Sequence, residues 1–295
     1  MIVECVPNFS EGRDSRIVDR IADAVAATAG VGLLDRTSDP DHNRSVLTFA
    51  GSPEGVAEGA FEAVREAVAS IDLTRHAGVH PRVGAADVVP FVPVEGIALA
   101  ECGAIARDVG ARIWRELSVP VFFYEAAALR VECARLENVR RLARGGLEPD
   151  IGTGRHPTAG ACVVGARKFL IAWNINLRSG DLAFARDVAR EIRASNGGLP
   201  AVKALGLPLE SRGEVQVSIN LVDFEITPLH VVFDAVARRC GEAGVEIAGS
   251  ELIGMIPAAA LEASRGHDLR WLNPRPDLVI ENRLRNRGPD GAGQM

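Results

Sequence analysis

The sequence lacks the cysteine patterns that assign many proteins to a class. Its five cysteines, Cys5, Cys102, Cys133, Cys162 and Cys240, form no CxxC pair, so neither a zinc ribbon nor a dithiol redox motif is indicated. An odd number of widely spaced cysteines instead predicts reduced, mostly buried thiols in a cytoplasmic protein.

Long apolar runs and basic runs are missing as well. No apolar stretch reaches the ~18 residues that a membrane-spanning helix needs, and residues 1–7 lack the basic and apolar regions of a signal peptide. The net charge is −6 without any polybasic run, which argues against a nucleic-acid surface. We therefore expect a soluble, cytoplasmic protein with no nucleic-acid and no membrane partner. A local basic pocket for a small anion stays compatible with this composition.

The chain does contain enough apolar residues for a core, and its patterns alternate between strand and helix. It has 295 residues, 47% hydrophobic and 24% charged, a length that favours two domains. The first half reads β-α-β-β-α-β, which is typical of a ferredoxin-like unit. Residues 214–224 alternate as a half-buried strand does. The apolar runs 161–164 and 169–177 predict a hairpin, a domain boundary is expected near residue 178, and the polar tail from 286 to 295 is expected to be disordered.

The segment richest in reactive side chains runs from residue 75 to 93. It contains two arginines, two histidines and an aspartate, namely Arg75, His76, His80, Arg82 and Asp87. Two histidines four residues apart would share one helix face, as in zinc sites. Gly78 and Pro81 disfavour a helix here, and no third ligand is evident, so no metal site is predicted. From the local sequence, His80 is either a structural loop residue or a general acid/base that works near neutral pH.

Two other segments combine polar residues with turn formers. In the first, Asp39 and Asp41 precede a strand, and a solvated turn with the aspartates capping main-chain amides is favoured. Arg44 begins the strand and is suited to bind a carboxylate with two hydrogen bonds. The second segment is the glycine-rich loop Gly152, Thr153, Gly154, Arg155, His156, Pro157, Thr158, Ala159 and Gly160. It is neither a Walker A motif nor a GxGxxG motif, so a main-chain cradle for an anionic or planar ligand and a flexible loop are both open.

Polar residues at every second position mark two predicted strands. Asn174 and Asn176 share one strand face, and Gln216, Ser218 and Asn220 repeat the pattern in the second half. This predicts two sheets whose polar surfaces face a groove or tunnel, a common place for ligands. No GxSxG motif or known Cys/His signature is present, so serine or thiol hydrolase chemistry has little support.

Together these segments resemble the formiminotransferase family. The similar stretches are residues 3–12, 41–46, 80–87, 164–177, 216–221 and 249–254, and they follow one another along almost the whole chain. The resemblance implies an α/β (α+β) fold of two ferredoxin-like βαββαβ subdomains, which we place at 1–178 and 179–295. It further implies that their sheets face one another across a folate tunnel, that the protein is a homodimer, and that no cyclodeaminase domain is attached.

The resemblance also implies a reaction. Members transfer a formimidoyl group between N-formimidoyl-L-glutamate and tetrahydrofolate, giving 5-formimidoyltetrahydrofolate and L-glutamate in histidine degradation. Tetrahydrofolate is then a co-substrate, no metal is needed, and a separate cyclodeaminase could act on the product. The catalytic histidine of the family carries over to His80, although Val79 stands where the motif usually has Glu. The folate-binding loop of the family corresponds to residues 152–160.

The charges of these substrates suggest further binding residues. A protonated formimidoyl group is cationic, so a carboxylate is expected to help, and Asp39 and Asp41 are the candidates. The glutamate parts are anionic, and the basic candidates are Arg44, Arg82, Arg155, Arg167 and Lys168. Asn8, Asn174 and Asn176 complete the predicted binding set. Two alternatives stay open: a glutamate formyltransferase or 5-formyltetrahydrofolate cyclo-ligase on the same fold, and a folate-binding protein without catalysis.

Overall fold

The chain is divided into two compact units in the computed structural model, which describes residues 1–40, 43–76, 82–209, 212–272 and 276–285. The N-terminal unit comprises Met1–Arg167 and the C-terminal unit Lys168–Asn286. The division therefore comes earlier in the chain than the expected boundary after residue 178. The predicted disordered tail, 286–295, lies outside the described residues.

The N-terminal unit is a mixed sheet with four helices. Its strands are β1 (Ile2–Cys5), β2 (Asn8–Phe9), β3 (Val31–Asp39), β4 (Arg44–Gly51), β5 (Ala86–Glu95), β6 (Val121–Glu125) and β7 (Cys162–Ala166). Its helices are α1 (Ser15–Ala26), α2 (Pro53–Ser70), α3 (Leu99–Leu117) and α4 (Leu136–Arg144). The short strands β1 and β2 both pair antiparallel with β4 and β5, and β3 pairs with the other edge of β4.

These first strands with α1 and α2 form the ferredoxin-like unit that the sequence predicts. The chain then adds β6, α4 and β7 as an extension, in which β7 lies parallel to both β5 and β6. The N-terminal sheet has two cores, because α1, α2 and α3 cover one face and α4 covers the other face only over the extension. Phe123 and Tyr124, adjacent on β6, accordingly belong to opposite cores.

The C-terminal unit repeats the ferredoxin-like topology without an extension. Its strands are β8 (Ile171–Leu177), β9 (Val202–Leu209), β10 (Glu214–Leu221) and β11 (Ile247–Ile253), and its helices are α5 (Leu182–Ile192), α6 (Leu229–Ala243), α7 (Ala258–Glu262) and α8 (Ile280–Arg285). The strands follow the order β11-β8-β10-β9, and each neighbouring pair is antiparallel. The predicted alternation of β10 is confirmed, since Val215, Val217, Ile219 and Leu221 are all buried.

The predicted hairpin between 161–164 and 169–177 is wrong. The first run is β7 in the sheet of the N-terminal unit, and the second is β8 in the sheet of the C-terminal unit. Both runs are largely buried, and an apolar pattern indicates burial without indicating which strand is the partner.

Local signals explain where several helices begin. Asp14 accepts a hydrogen bond from the amide of Arg16 at the start of α1, Ser52 caps α2 ahead of Pro53, and Asp181 caps α5. Such side chains satisfy amides that have no partner within the first helical turn. Within the described parts of the chain, none of the helices has the length and apolarity to cross a membrane.

Candidate active site

Arg44 is held at the end of the hairpin formed by β3 and β4. It lies opposite Asp39 in register, and its Nη2 donates a hydrogen bond to Oδ1 of Asn8 on β2. Burial lowers the pKa of Arg44 and the nearby charge of Arg140 lowers it further, whereas Asp87 and Asp39 raise it. Pro40 and Asn43 lie in the predicted turn, and Asp39 and Arg44 on either side of it are the last residue of β3 and the first residue of β4. Asp41 lies outside the described residues.

The loop after β2 packs directly against this hairpin end. The amide of Gly12 donates to Oδ1 of Asn43 at 2.9 Å. A Cβ on Gly12 would lie 2.4 Å from the carbonyl oxygen of Asp39 and 2.5 Å from the nitrogen of Arg44, so only glycine fits. This packing holds Asn8, Asp39 and Arg44 in one place, and their binding of substrate stays a prediction.

Arg82 and His76 contact one another across a short stretch of sequence. Nη1 of Arg82 lies 2.6 Å from Nε2 of His76. The same Nε2 also lies 3.3 Å from the carbonyl oxygen of Asn43, so it contacts both a guanidinium donor and a carbonyl acceptor. Nδ1 of His76 is buried and has no hydrogen-bond partner in the described part of the chain. Burial lowers the pKa of Arg82, and His80, the predicted catalytic residue, lies outside the described residues.

A buried ion pair secures the segment just after Arg82. Asp87 is 3% exposed; its Oδ1 accepts from the amide of Val83 at 2.5 Å, and its Oδ2 lies 2.6 Å from Nη2 of Arg140 on α4. The sequence placed Asp87 in the reactive segment but assigned it no site role. Arg140 gave no signal at all, since its position beside Asp87 arises only when α4 packs against the sheet.

The glycine-rich loop 152–160 is tied to the same region by main-chain hydrogen bonds. The carbonyl of Thr158 accepts from the amide of Leu73 at 2.8 Å, and the carbonyl of Ala159 accepts from the amide of Ala85 at 2.9 Å. Nδ1 of His156 accepts from the amide of Ala159 at 3.0 Å. This places the proton of a neutral His156 on Nε2, and it gives the ring a structural role inside its own loop.

Two glycines of this loop are required by its shape. Gly152 has φ +85° and a Cβ would lie 2.6 Å from the ring of Trp114, and Gly160 has φ +70° with the carbonyl oxygen of Val83 at 2.5 Å. Arg155 donates to the carbonyl oxygen of Ala143 at the end of α4. The residues that remain exposed at the tip are Thr153, Gly154, Arg155 and Pro157. The loop is thus held by hydrogen bonds and close packing, and its role as a cradle for a ligand stays a prediction.

Two basic residues from the junction between the units have different surroundings. The amide of Arg167 donates to the carbonyl of Phe91 at 3.0 Å. Its charge acts to lower the pKa of Cys5 and of Tyr124, against a larger increase from burial. In the C-terminal unit, Nζ of Lys168 lies 2.8 Å from Asp223 and 2.6 Å from Glu225, and hydrogen bonds to these two carboxylates raise the pKa of Lys168. Lys168 is thus already neutralised by two carboxylates.

The predicted amide residues form one polar sheet face in the C-terminal unit. Ser218 and Gln216 of β10 lie opposite Asn174 and Asn176 of β8. Together with Asn220, they point away from the buried Trp173 and Ile175, and we call these five residues the amide face. The sequence distributed them over two sheets, but β8 and β10 are neighbours in one sheet. The C-terminal unit therefore holds Lys168, Asn174 and Asn176, and the N-terminal unit holds every other described residue of the predicted set.

Asn176 is an exception on the amide face because it is only 1% exposed. Neither its Oδ1 nor its Nδ2 has a hydrogen-bond partner in the described ranges. Gly249 lies opposite Asn176 on β11, and the side chain of Leu272 occupies the space where a Cβ of Gly249 would be. An unpaired buried polar group costs about 1–3 kcal/mol, so a role outside stability is the natural explanation for Asn176.

Over the described ranges of the chain, no three or more His, Cys, Asp and Glu side chains lie together in a way that could hold a metal ion.

Comparisons with known proteins agree with this division into units. The family model described as "Formiminotransferase domain, N-terminal subdomain" matches residues 2–167, and the model described as "Formiminotransferase domain" matches residues 172–270. Glutamate formimidoyltransferase of Streptococcus pyogenes serotype M1 is 43% identical over 88% of this chain and 90% of its own length. The protein of the same name from Thermoplasma acidophilum is 40% identical, over 88% and 89%.

Animal relatives are longer. Formimidoyltransferase-cyclodeaminase of Sus scrofa is 44% identical over 88% of this chain, which corresponds to 51% of the pig protein. The similarity to each of these relatives covers both units of the present structure. From these matches along most of its length, we conclude that the chain belongs to the formiminotransferase family.

Proposed function

We propose that this chain is an enzyme, a one-carbon transferase that moves a formimidoyl group between N-formimidoyl-L-glutamate and tetrahydrofolate. The observation that carries the proposal is the 43% identity to a glutamate formimidoyltransferase over 90% of that relative's length. The sequence His80-Pro81-Arg82, on which the predicted chemistry depends, is present. Tetrahydrofolate is the co-substrate in this proposal.

The arginines of the N-terminal unit suit anionic substrates. Arg44 and Arg82 are partly buried, and each has a planar guanidinium already oriented by a neighbour, Asn8 for Arg44 and His76 for Arg82. Arginine binds carboxylates with paired, charge-assisted hydrogen bonds, which are stronger where water is scarce. We assign these two residues to the carboxylates of the glutamate moieties.

The chemical step exchanges one amine for another at the formimidoyl carbon. A folate nitrogen attacks that carbon and loses a proton, and the glutamate nitrogen leaves after it has gained one. His80, next to Pro81 and Arg82 in the sequence, is the group to which we assign both transfers. A positioned histidine contributes roughly 10²–10⁴-fold to such a step. Asp39, exposed and opposite Arg44, is the described carboxylate that could stabilise the cationic formimidoyl group.

The proposal is tested by turnover of tetrahydrofolate with N-formimidoyl-L-glutamate in the parent protein and in His80→Ala. We expect the parent to turn over and kcat of His80→Ala to fall at least about 100-fold, the lower end of the histidine contribution. Equal rates would exclude the assigned role of His80. His80→Gln is the matched variant, since it preserves a hydrogen-bonding side chain but cannot carry a proton at neutral pH.

The same assay separates the alternatives. Preference for N-formyl-L-glutamate would indicate the formyltransferase, and turnover of 5-formyltetrahydrofolate that requires ATP would indicate the cyclo-ligase. Tight folate binding without turnover of any donor would indicate a binding protein. The homodimer, the place in histidine degradation, the cytoplasmic location, the facing sheets of a folate tunnel and a separate cyclodeaminase acting on the product all stay predictions.

A further inference from the structure

Asp87 is a buried carboxylate to which the proposed chemistry assigns no part. Its two oxygens serve two different partners, the amide of Val83 at 2.5 Å and the guanidinium of Arg140 at 2.6 Å. The side chain of Asp87 is 4% exposed and that of Arg140 is 18% exposed. The pair is therefore largely desolvated, and removing one partner would leave a costly buried charge.

The partner of Asp87 on the main chain follows Arg82 directly. The amide of Val83 is held by Asp87, while its carbonyl accepts from the amide of Ala161 at 3.1 Å. The next residue is secured as well, because Oγ of Ser10 donates to the carbonyl of Gly84 at 2.7 Å. The main chain directly after Arg82 is thus anchored at Val83. Asp87 is the side chain that binds the amide of Val83.

Arg140 connects this anchor to α4. The helix packs against the extension of the sheet, and its C-terminal end also receives the hydrogen bond from Arg155 of the loop 152–160. Asp87 therefore joins the His-Pro-Arg segment to the helix that supports the glycine-rich loop. Both segments belong to the predicted binding set, so their relative placement matters for a reaction between two substrates.

We propose that Asp87 is a positioning residue, which with Arg140 holds the main chain at Val83 so that His80 and Arg82 meet the substrate in a productive geometry. This inference depends on the function proposed above. Asp87 does not itself touch the reacting atoms. A misplacement of about 1 Å near the chemistry can cost roughly 10²-fold in rate, so the anchor has a measurable effect.

The substitution Asp87→Asn distinguishes this role by hydrogen-bond chemistry. A carboxylate accepts at both oxygens, whereas an amide accepts at one atom and donates at the other. Both partners of Asp87 are donors, so asparagine can satisfy Val83 or Arg140 but not both. The substitution keeps nearly the same volume, but it removes one contact and the negative charge that is paired with Arg140.

The same unit contains a matched control for stability. Asp150 is also nearly buried; one oxygen accepts from the amide of Phe123 at 2.7 Å, and the other lies 3.0 Å from Nε of Arg130. Asp150→Asn breaks an equivalent pair that anchors β6 instead of the His-Pro-Arg segment. Glu58→Gln, which breaks the ion pair of α2 with Arg112, serves as the control for activity.

The experiment combines steady-state kinetics, Tm and amide hydrogen exchange on Asp87→Asn, Asp150→Asn, Glu58→Gln and the parent. For Asp87→Asn we expect kcat to fall about 10- to 100-fold with KM for both substrates within about 3-fold, and exchange at Val83 to accelerate. We expect Tm to fall by a similar amount in Asp87→Asn and Asp150→Asn, because each loses one partner of a buried ion pair. In Asp150→Asn, exchange should be faster at Phe123 and unchanged at Val83. Glu58→Gln is expected to retain the parent kcat.

Several results would overturn the inference. Unchanged kcat in Asp87→Asn despite faster exchange at Val83 would show that the anchor does not serve the chemistry. A loss of kcat without any change at Val83 would remove the positioning mechanism. If Asp87→Asn does not fold, Arg140→Met must lower kcat and Arg140→Lys must restore most of it; equal values would contradict the role. A parent without formimidoyl transfer overturns the proposed function, whereas an active parent with an unaffected Asp87→Asn overturns only the positioning role.

Discussion

The two units share the βαββαβ topology but carry different chemistry. The N-terminal unit concentrates charge, with Arg44, Arg82 and Arg140 near Asp87 and Asp39. The C-terminal unit presents the amide face, whose five residues are all neutral. The topology supplies a sheet in both cases, and the side chains at strand ends and on one sheet face decide what each unit can bind.

The difference extends to how the polar groups are satisfied. In the N-terminal unit, Asp87 is paired at both oxygens, and Arg44 and Arg82 each donate to a defined neighbour. In the C-terminal unit, the buried amide of Asn176 has no partner among the residues described. We therefore expect the first unit to depend on charge and geometry, and the second to offer hydrogen bonds that a ligand completes.

The largest effect that tests this contrast is expected from Arg44→Met. The variant removes a partly buried positive charge and leaves Asn8 without its donor, so kcat/KM for N-formimidoyl-L-glutamate should fall about 10²- to 10³-fold. Steady-state kinetics measure it. Arg44→Lys should recover only part of the loss, because an ammonium cannot bind a carboxylate with a planar pair of hydrogen bonds.

Lys168→Met is the matched basic control from the C-terminal unit. Since Lys168 is already paired with Asp223 and Glu225, its loss should change kcat/KM by less than about 3-fold. Equal losses in Arg44→Met and Lys168→Met would mean that net charge, and not the placement of Arg44, governs binding.

Asn176→Val is expected to have a smaller effect on activity than Arg44→Met. It should raise stability while it lowers activity. Removal of the unpaired buried amide should raise Tm by about 2–4 °C, while kcat/KM should fall roughly 10-fold if the amide binds a ligand. Thermal unfolding and kinetics on the same sample test both. Asn174→Val, at a half-exposed position of the same face, should not raise Tm. A stabilised Asn176→Val with full activity would leave the amide face without a role in binding.

The last test concerns stability alone, at a site away from both polar regions, where no effect on activity is expected. Burial raises the pKa of the Cys102 thiol on α3 from 9.0 to about 11. Its stabilising contribution is complete below pH 9, the value expected for the unfolded chain, and is lost as pH rises toward 11. The free energy of unfolding of the parent should therefore fall relative to Cys102→Ala by about 2 kcal/mol between pH 9 and 11. The free energies of both proteins are measured by urea unfolding at several pH values. A difference between them that does not change with pH would contradict the burial of the Cys102 thiol.

Sequence patterns predicted the elements better than their partners. The alternation of β10 and the ferredoxin-like order were confirmed because burial on one face imposes a local period. The hairpin of 161–164 with 169–177 was wrong, because pairing depends on residues far apart in the chain. For the same reason the turn chemistry of Asp39 and Arg44 could be named, but their register across β3 and β4 could not.

The candidate site divides along the same line. The resemblance pointed to the loop 152–160 and the substrate charges to Arg44 and Arg82, and the structure places these in the N-terminal unit with Asn8 and Asp39. The resemblance did not indicate Asp87 as an anchor. The catalytic role of His80 stays a prediction because this residue lies outside the described residues. The polar pattern of Asn174 and Asn176 was recognised, although its match in β10 belongs to the same sheet.

By itself, the sequence determined the fold class, the family and the types of residue available for the chemistry, since these depend on local periodicity and on motifs read in order. Only the tertiary structure decided which of those residues meet. Arg140 reaches Asp87 because α4 packs on the second face of the extended sheet, Lys168 is neutralised by carboxylates distant in the chain, and Asn176 is buried opposite Gly249 of β11. Each of these outcomes arises from packing between elements that no local pattern connects.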